Sequence, residues 1–162
     1  MQDIRENVMM LMATQTGTAE EVASEVIEAL KEAGVSVTLY DLADSAEIGF
    51  LRDASCILGV VSTWGDGEPP DDAVPFFEKL SESEPLGLGG VPISVFGLGD
   101  SGYDLFCECG KQLERELLRH GGAVVVPRLD GDVWYEEELK SWIDGLRHAL
   151  GVRDPVSPNH ES

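Results

Sequence analysis

Five strand-length runs that are apolar almost throughout, at Val8 to Ala13, Val35 to Tyr40, Cys56 to Val61, Val91 to Phe96 and Ala123 to Leu129, set the limits on what this chain can fold into. A strand with one face in water alternates apolar and polar residues. Unbroken apolar runs belong to strands covered on both faces, as in parallel sheets with helices on either side. The intervening segments have helical period. Val22, Val26 and Leu30 recur at four-residue steps, and Gly34 follows where a helix is capped. Further helices are expected over Ala73 to Leu80, over Gly110 to His120 ahead of Gly121-Gly122, and through Leu139, Trp142, Ile143, Leu146 and Leu150. Leu42 to Leu51 has room for one or two helical turns only. The rhythm is that of a doubly wound α/β domain, whose ligands bind beyond the carboxyl ends of the strands at the topological switch point.

The 162 residues suffice for one domain, expected over 1–150, with a flexible tail over 151–162 whose two prolines and scarcity of apolar residues suit a linker. Eleven basic against thirty-one acidic residues give a net charge of −20. Such a chain is repelled by phosphate backbones and anionic bilayers, so nucleic acid and membrane are excluded as partners and basic proteins favoured. No apolar run reaches the ~20 residues of a membrane span and no secretory start is visible, so the chain reads as cytoplasmic. Cys56, Cys107 and Cys109 fit neither a disulfide framework nor a zinc site and read as reduced packing groups.

Three loops follow the first, third and fourth runs. The first, Thr14-Gln15-Thr16-Gly17-Thr18-Ala19, puts three hydroxyls and a glycine at the start of a helix. Hydroxyls and helix-terminal N–H groups bind a phosphate; the same residues also serve as a helix cap, and both readings stand. Without Lys or Arg the loop is not that of nucleoside triphosphatases and suits a single monoester. The second, Ser62-Thr63-Trp64-Gly65-Asp66-Gly67-Glu68-Pro69-Pro70, puts Trp64 at a glycine-rich tip, either to stack on a ligand or to fold back over the sheet edge. The third holds Leu98, Gly99, Asp100, Ser101, Gly102, Tyr103, Asp104, Leu105, Phe106 and Cys107. Gly97, Gly99 and Gly102 spell the dinucleotide fingerprint but follow the fourth strand instead of the first, and no acid answers them about twenty residues on. They suit close approach to a flat ligand, with Tyr103 as a second aromatic face. A phosphate cradle and two aromatic loops make a site for one phosphate and one planar ring, and FMN is the natural candidate.

These motifs closely resemble the FMN-binding flavodoxin-like family, including the FMN domains of the sulfite reductase flavoprotein subunit and of cytochrome P450 reductase and the short MioC-type proteins. Leu129-Asp130-Gly131-Asp132-Val133 is similar to their acidic turn after the last strand. The resemblance implies a flavodoxin-like three-layer sandwich, with a five-stranded parallel sheet in order 2-1-3-4-5 and helices on both faces. It also implies that Thr14 to Ala19 hold the phosphate, that Trp64, at a position often filled by Tyr, and Tyr103 stack on the ring, that Gly65 meets flavin N5, and that Leu98 to Cys107 wrap the ring edges.

The expected function is a flavodoxin-type carrier passing single electrons between a separate flavin reductase and an acceptor enzyme. Ten acids against Lys79 alone lie between Ser62 and Gly110. Each one close to a fully reduced, anionic flavin would destabilise it by roughly 1 kcal/mol or more, lowering the second reduction potential. The same acids can dock a basic partner or simply keep the chain soluble. Two other functions remain: a flavin-dependent NAD(P)H quinone or FMN reductase, and a flavin-free binding module. No FAD or nicotinamide segment follows the last strand, so electrons are expected from another protein.

Overall fold

A computed structural model describes residues 4–14, 17–44, 47–63, 67–100, 102 and 107–151. Six parallel strands form one sheet: β1 (Val8–Ala13), β2 (Val37–Asp41), β3 (Cys56–Ser62), β4 (Pro92–Leu98), β5 (Ala123–Val124) and β6 (Leu129–Gly131). Their order is β2-β1-β3-β4-β5, and β6 also pairs with β4. The helices are α1 (Thr18–Glu32), α2 (Val74–Glu82), α3 (Glu108–Arg119) and α4 (Glu136–Ala149), and the weak segment after β2 holds two 3-10 turns, Leu42–Asp44 and Gly49–Asp53. No described helix is long and apolar enough to cross a membrane.

Because successive side chains of a strand point to opposite faces, an all-apolar strand feeds two cores at once. Met10 and Met12 of β1 pack with Leu58, Phe96 and Trp142 under α1 and α4. Met9 and Leu11 pack with Ile57, Phe76 and Leu113 under α2 and α3. This division produces the three layers.

The fifth apolar run is not one strand. Val125 still donates to the Ile93 carbonyl at 2.9 Å. The buried Val126 carbonyl then turns to accept from Ser94 Oγ (2.8 Å), and Ser94 Oγ itself accepts from Trp142 Nε1 (2.7 Å). Pro127 follows with no N–H to give. Pairing resumes at β6, where Phe96, Gly97 and Leu98 face Leu129, Asp130 and Gly131. The break aims β6 at the carboxyl end of β4, beside the third loop.

Candidate functional site

Strand register brings the three loops to one edge. Ala13 of β1 stands beside Val61 of β3, Ser62 of β3 beside Leu98 of β4, and Leu98 beside Gly131 of β6. Thr14, Thr63 and Gly99 therefore leave neighbouring strands in the same direction.

Gly17 opens α1 at φ +97°, a conformation that L side chains rarely adopt, and among the described residues nothing lies within 4 Å of where its Cβ would stand. Its N–H donates to Thr14 Oγ1 (2.9 Å), which folds the loop back on the end of β1. Among the described residues no side chain caps α1, so the amides of its first turn are placed to meet an anion at the positive end of a 15-residue helix. Glu20 and Glu21 in that turn are exposed. Ala19 and Leu98 bury their side chains in the core, so each can offer a ligand only its backbone.

The second and third loops are tied together. Thr63 N–H donates to the Leu98 carbonyl (2.9 Å), and Thr63 Oγ1 accepts from Cys109 N–H in the first turn of α3 (2.9 Å). Asp100 Oδ1 accepts from Gly102 N–H (2.8 Å), which closes a short turn just beyond β4. Gly99 N–H donates to the Gly131 carbonyl (3.0 Å), which joins the acidic turn after β6 to the same edge.

Cys107 caps α3 at φ +55°, the left-handed region that a residue with a side chain occupies at some cost. Its backbone N would lie 2.9 Å from a Cβ on Gly99, so the return of the third loop needs glycine there. Burial, then the nearby Asp130 and Asp132 carboxylates, push the Cys107 thiol up to about 12, against the partial pull of Lys111 and Arg128. It is a packing group and stays a neutral thiol; Cys56, at the far end of β3, and Cys109 are likewise buried packing groups whose thiols burial raises.

Arg128, just before β6, bonds Glu114 of α3 and Asp130 of β6 (3.1 Å to Oδ1) and ties β6 to α3. Burial works against its charge, but the Asp130 hydrogen bond and the two carboxylates outweigh it and raise its pKa. This clamp, the Thr63 cap on α3 and the outward Trp134 have no signal in linear spacing beyond the acids around Gly131.

Of the residues expected to bind the cofactor, Thr14, Gly17, Thr18, Ala19, Ser62, Thr63, Leu98, Gly99, Asp100, Gly102 and Cys107 are described, and they line one sheet edge. Gln15, Thr16, Trp64, Gly65, Ser101, Tyr103, Asp104, Leu105 and Phe106 lie outside the described residues. The fit to FMN therefore rests on the uncapped α1 terminus, the open space at Gly17 and the knotted second and third loops.

Comparison with known proteins agrees with this geometry. The family pattern described as flavodoxin matches residues 10–142. A flavodoxin from Pseudomonas aeruginosa, a variant form, superposes with a TM-score of 0.75 at 32% identity, covering 90% of this chain and 99% of that one. Flavodoxin 1 from Bacillus cereus gives 0.77 at 25% identity, covering 90% and 97%. The sulfite reductase [NADPH] flavoprotein alpha-component of Bacillus subtilis is 35% identical over 147 residues, 91% of this chain and 24% of that protein, so the chain spans about a quarter of the curated relatives it matches. FMN is the cofactor such membership implies, and the residues present fit it. A match running from within β1 into α4, joined to the doubly wound topology and the loops at its carboxyl edge, shows that this chain belongs to the flavodoxin family.

Proposed function

We propose that the chain is an electron carrier that holds FMN at the carboxyl edge of its sheet and exchanges electrons singly with two basic proteins, a flavin reductase as donor and an acceptor enzyme. The observation that carries this reading is the convergence of Thr14, Thr63 and Gly99 on neighbouring strand ends, with the uncapped α1 terminus behind Gly17. When bound, FMN supplies a centre able to accept and release electrons one at a time.

The chain's residues do the rest. Thr14 and Thr18 hydroxyls, with the amides of Thr18 and Ala19, hold the phosphate at the positive helix end. Thr63 N–H on the Leu98 carbonyl fixes the starts of the second and third loops to each other. On the family resemblance, Trp64 and Tyr103 would stack on the ring and the Gly65 backbone would face its reactive edge.

Charge supports the basic-partner reading. A groove of about 370 Å³ beside the second loop is lined by Glu68, Asp71, Glu78 and Glu82 over an apolar floor that includes Val74 and Phe77. Among the described residues no Lys or Arg lines it. Such a face raises the encounter rate with a basic protein and loses that advantage in salt.

The curated relatives are components of NADPH sulfite reductases, which supports NADPH as the remote electron source. The test adds NADPH to the FMN-loaded protein with and without a catalytic amount of a separate flavin reductase. Bleaching only with the reductase supports a carrier. Bleaching by NADPH alone would make the chain a reductase in its own right.

A further inference from the structure

Of the three tryptophans, Trp142 is fully buried, whereas Trp134 is 82% exposed and its neighbour Val133 55% exposed. Trp134 is the most exposed of the large apolar side chains described here, and it stands on an anchored turn. On one side the Gly131 carbonyl is held by Gly99 N–H (3.0 Å). On the other, Tyr135 is partly buried against the core and its carbonyl takes Leu139 N–H (2.9 Å) as α4 begins. Between them Val133 N–H donates to Asp132 Oδ1 (2.7 Å). Both ends are bonded inward and Trp134 is carried outward.

The turn follows β6 directly, so it borders the third loop at the edge where the proposed carrier would hand over electrons. Asp132, Glu136, Glu137 and Glu138 flank it in sequence between Arg128, which is paired with Asp130, and Lys140. An exposed tryptophan with acidic neighbours in sequence has the make-up of an interface anchor, in which an aromatic group fills a pocket and charges set orientation. A second copy of the chain is the wrong occupant, because it would bring two such acidic turns together in a molecule of net charge −20. Charge complementarity favours a basic protein.

We infer that Val133 and Trp134 are the apolar anchor on which a basic redox partner seats beside the cofactor edge, the flanking acids steering it there. The inference rests on the carrier reading and adds a place and a residue to it. Trp134 acts by contact with the partner and has no part in holding FMN.

The test uses FMN-loaded protein, reduced chemically and mixed at low salt with either cytochrome c, as a basic protein acceptor, or ferricyanide, as a small one. Trp134→Ala should lower the second-order rate with cytochrome c at least fivefold, Trp134→Phe should stay within twofold of the parent, and all three should react alike with ferricyanide. A second readout needs no flavin. The indole N–H resonance absent from Trp134→Phe should shift when cytochrome c is titrated in, and thermal unfolding should be the same for all three proteins. Equal rates for Trp134→Ala and parent, or an unmoved resonance, would overturn the anchor. An equal loss with both acceptors would overturn it by showing that Trp134 acts on the flavin, and a parent dimer that dissociates in Trp134→Ala would overturn it by showing a second copy on the turn. If the parent reduces ferricyanide but not cytochrome c, the basic-partner reading falls and the anchor with it. Failure to retain FMN would sink the carrier reading separately, and the resonance titration would still decide the anchor.

Discussion

The Thr63 hydroxyl accepts the Cys109 N–H at 2.9 Å across 46 residues of sequence, so a side chain just past β3 caps α3, the helix that follows the third loop. Two cofactor loops thereby share one bond. Thr63→Val keeps the shape and leaves that amide without its partner, which should destabilise the fold by about 1 kcal/mol. Thr63→Ser should restore most of it. FMN affinity should fall with Thr63→Val by more than the stability change requires, because both loops lose their common tether. Denaturant unfolding with and without FMN separates the two effects.

Gly17 should separate binding from folding in another way. Its φ of +97° makes Gly17→Ala cost roughly 1–2 kcal/mol of stability through backbone strain alone. A new methyl would also enter the open space expected to receive the phosphate. We expect FMN affinity to drop at least tenfold, as read by fluorescence titration, while riboflavin, which has no phosphate, is affected less.

At Gly99 the constraint is a neighbour's backbone. A Cβ there would meet Cys107 N at 2.9 Å and Sγ at 3.1 Å, and the backbone atom cannot move aside cheaply. Gly99→Ala should therefore shift the third loop and weaken FMN binding, with stability falling by about 1–3 kcal/mol in thermal or urea unfolding. Unchanged flavin affinity in a stably folded variant would show that the return of this loop does not shape the site.

The buried thiols predict an alkaline limit to stability. Burial raises Cys56 to about 12 from the ordinary value of 9.0, and Cys107 reaches about 12 as well. The folded protein keeps these protons at pH values where the unfolded chain has lost them. The stabilisation is fully present below about pH 9 and is lost as the pH rises through about 12, by up to ~1.4 kcal/mol per pH unit for each thiol. Urea midpoints should fall steadily above pH 9, and Cys56→Ala should flatten that fall at the cost of lower stability at neutral pH. In the folded state a thiol reagent should label neither cysteine quickly at pH 8.

Ser94 accepts from the Trp142 indole and donates to the Val126 carbonyl, all in the core. Ser94→Ala leaves both partners unsatisfied and should cost about 2–4 kcal/mol, the sum of two buried polar groups left unpaired. Hydrogen exchange should then accelerate in α4 and the β5–β6 segment before the rest of the sheet.

The same trio marks where the sequence stops being legible. The strands of the sheet centre are visible in linear order because burial on both faces demands apolar residues at every position, and β1, β3 and β4 appear within two residues of the runs that announce them. Ala123 to Leu129 looked alike, yet its strand breaks because Val126 gives its carbonyl to Ser94, 32 residues away. A tertiary bond of that kind leaves no local pattern. The three loops were legible through their glycines and hydroxyls, and their described residues lie along one edge of the sheet. The cap from Thr63 to Cys109 was not, for the same reason as the Ser94 bond. Trp134 was hidden differently: Val133-Trp134-Tyr135 reads as core composition, and only packing shows that Tyr135 turns inward while Trp134 turns out. The stacking residues Trp64 and Tyr103 lie outside the described residues and stand on the motif alone.

Stepwise reductive titration of the protein purified without added flavin decides whether this chain binds FMN and passes its electrons singly. The expected result is a yellow protein holding one FMN per chain, whose absorption changes in two separate one-electron waves. A colourless protein that takes up no added FMN, or reduction in a single two-electron step, would contradict it.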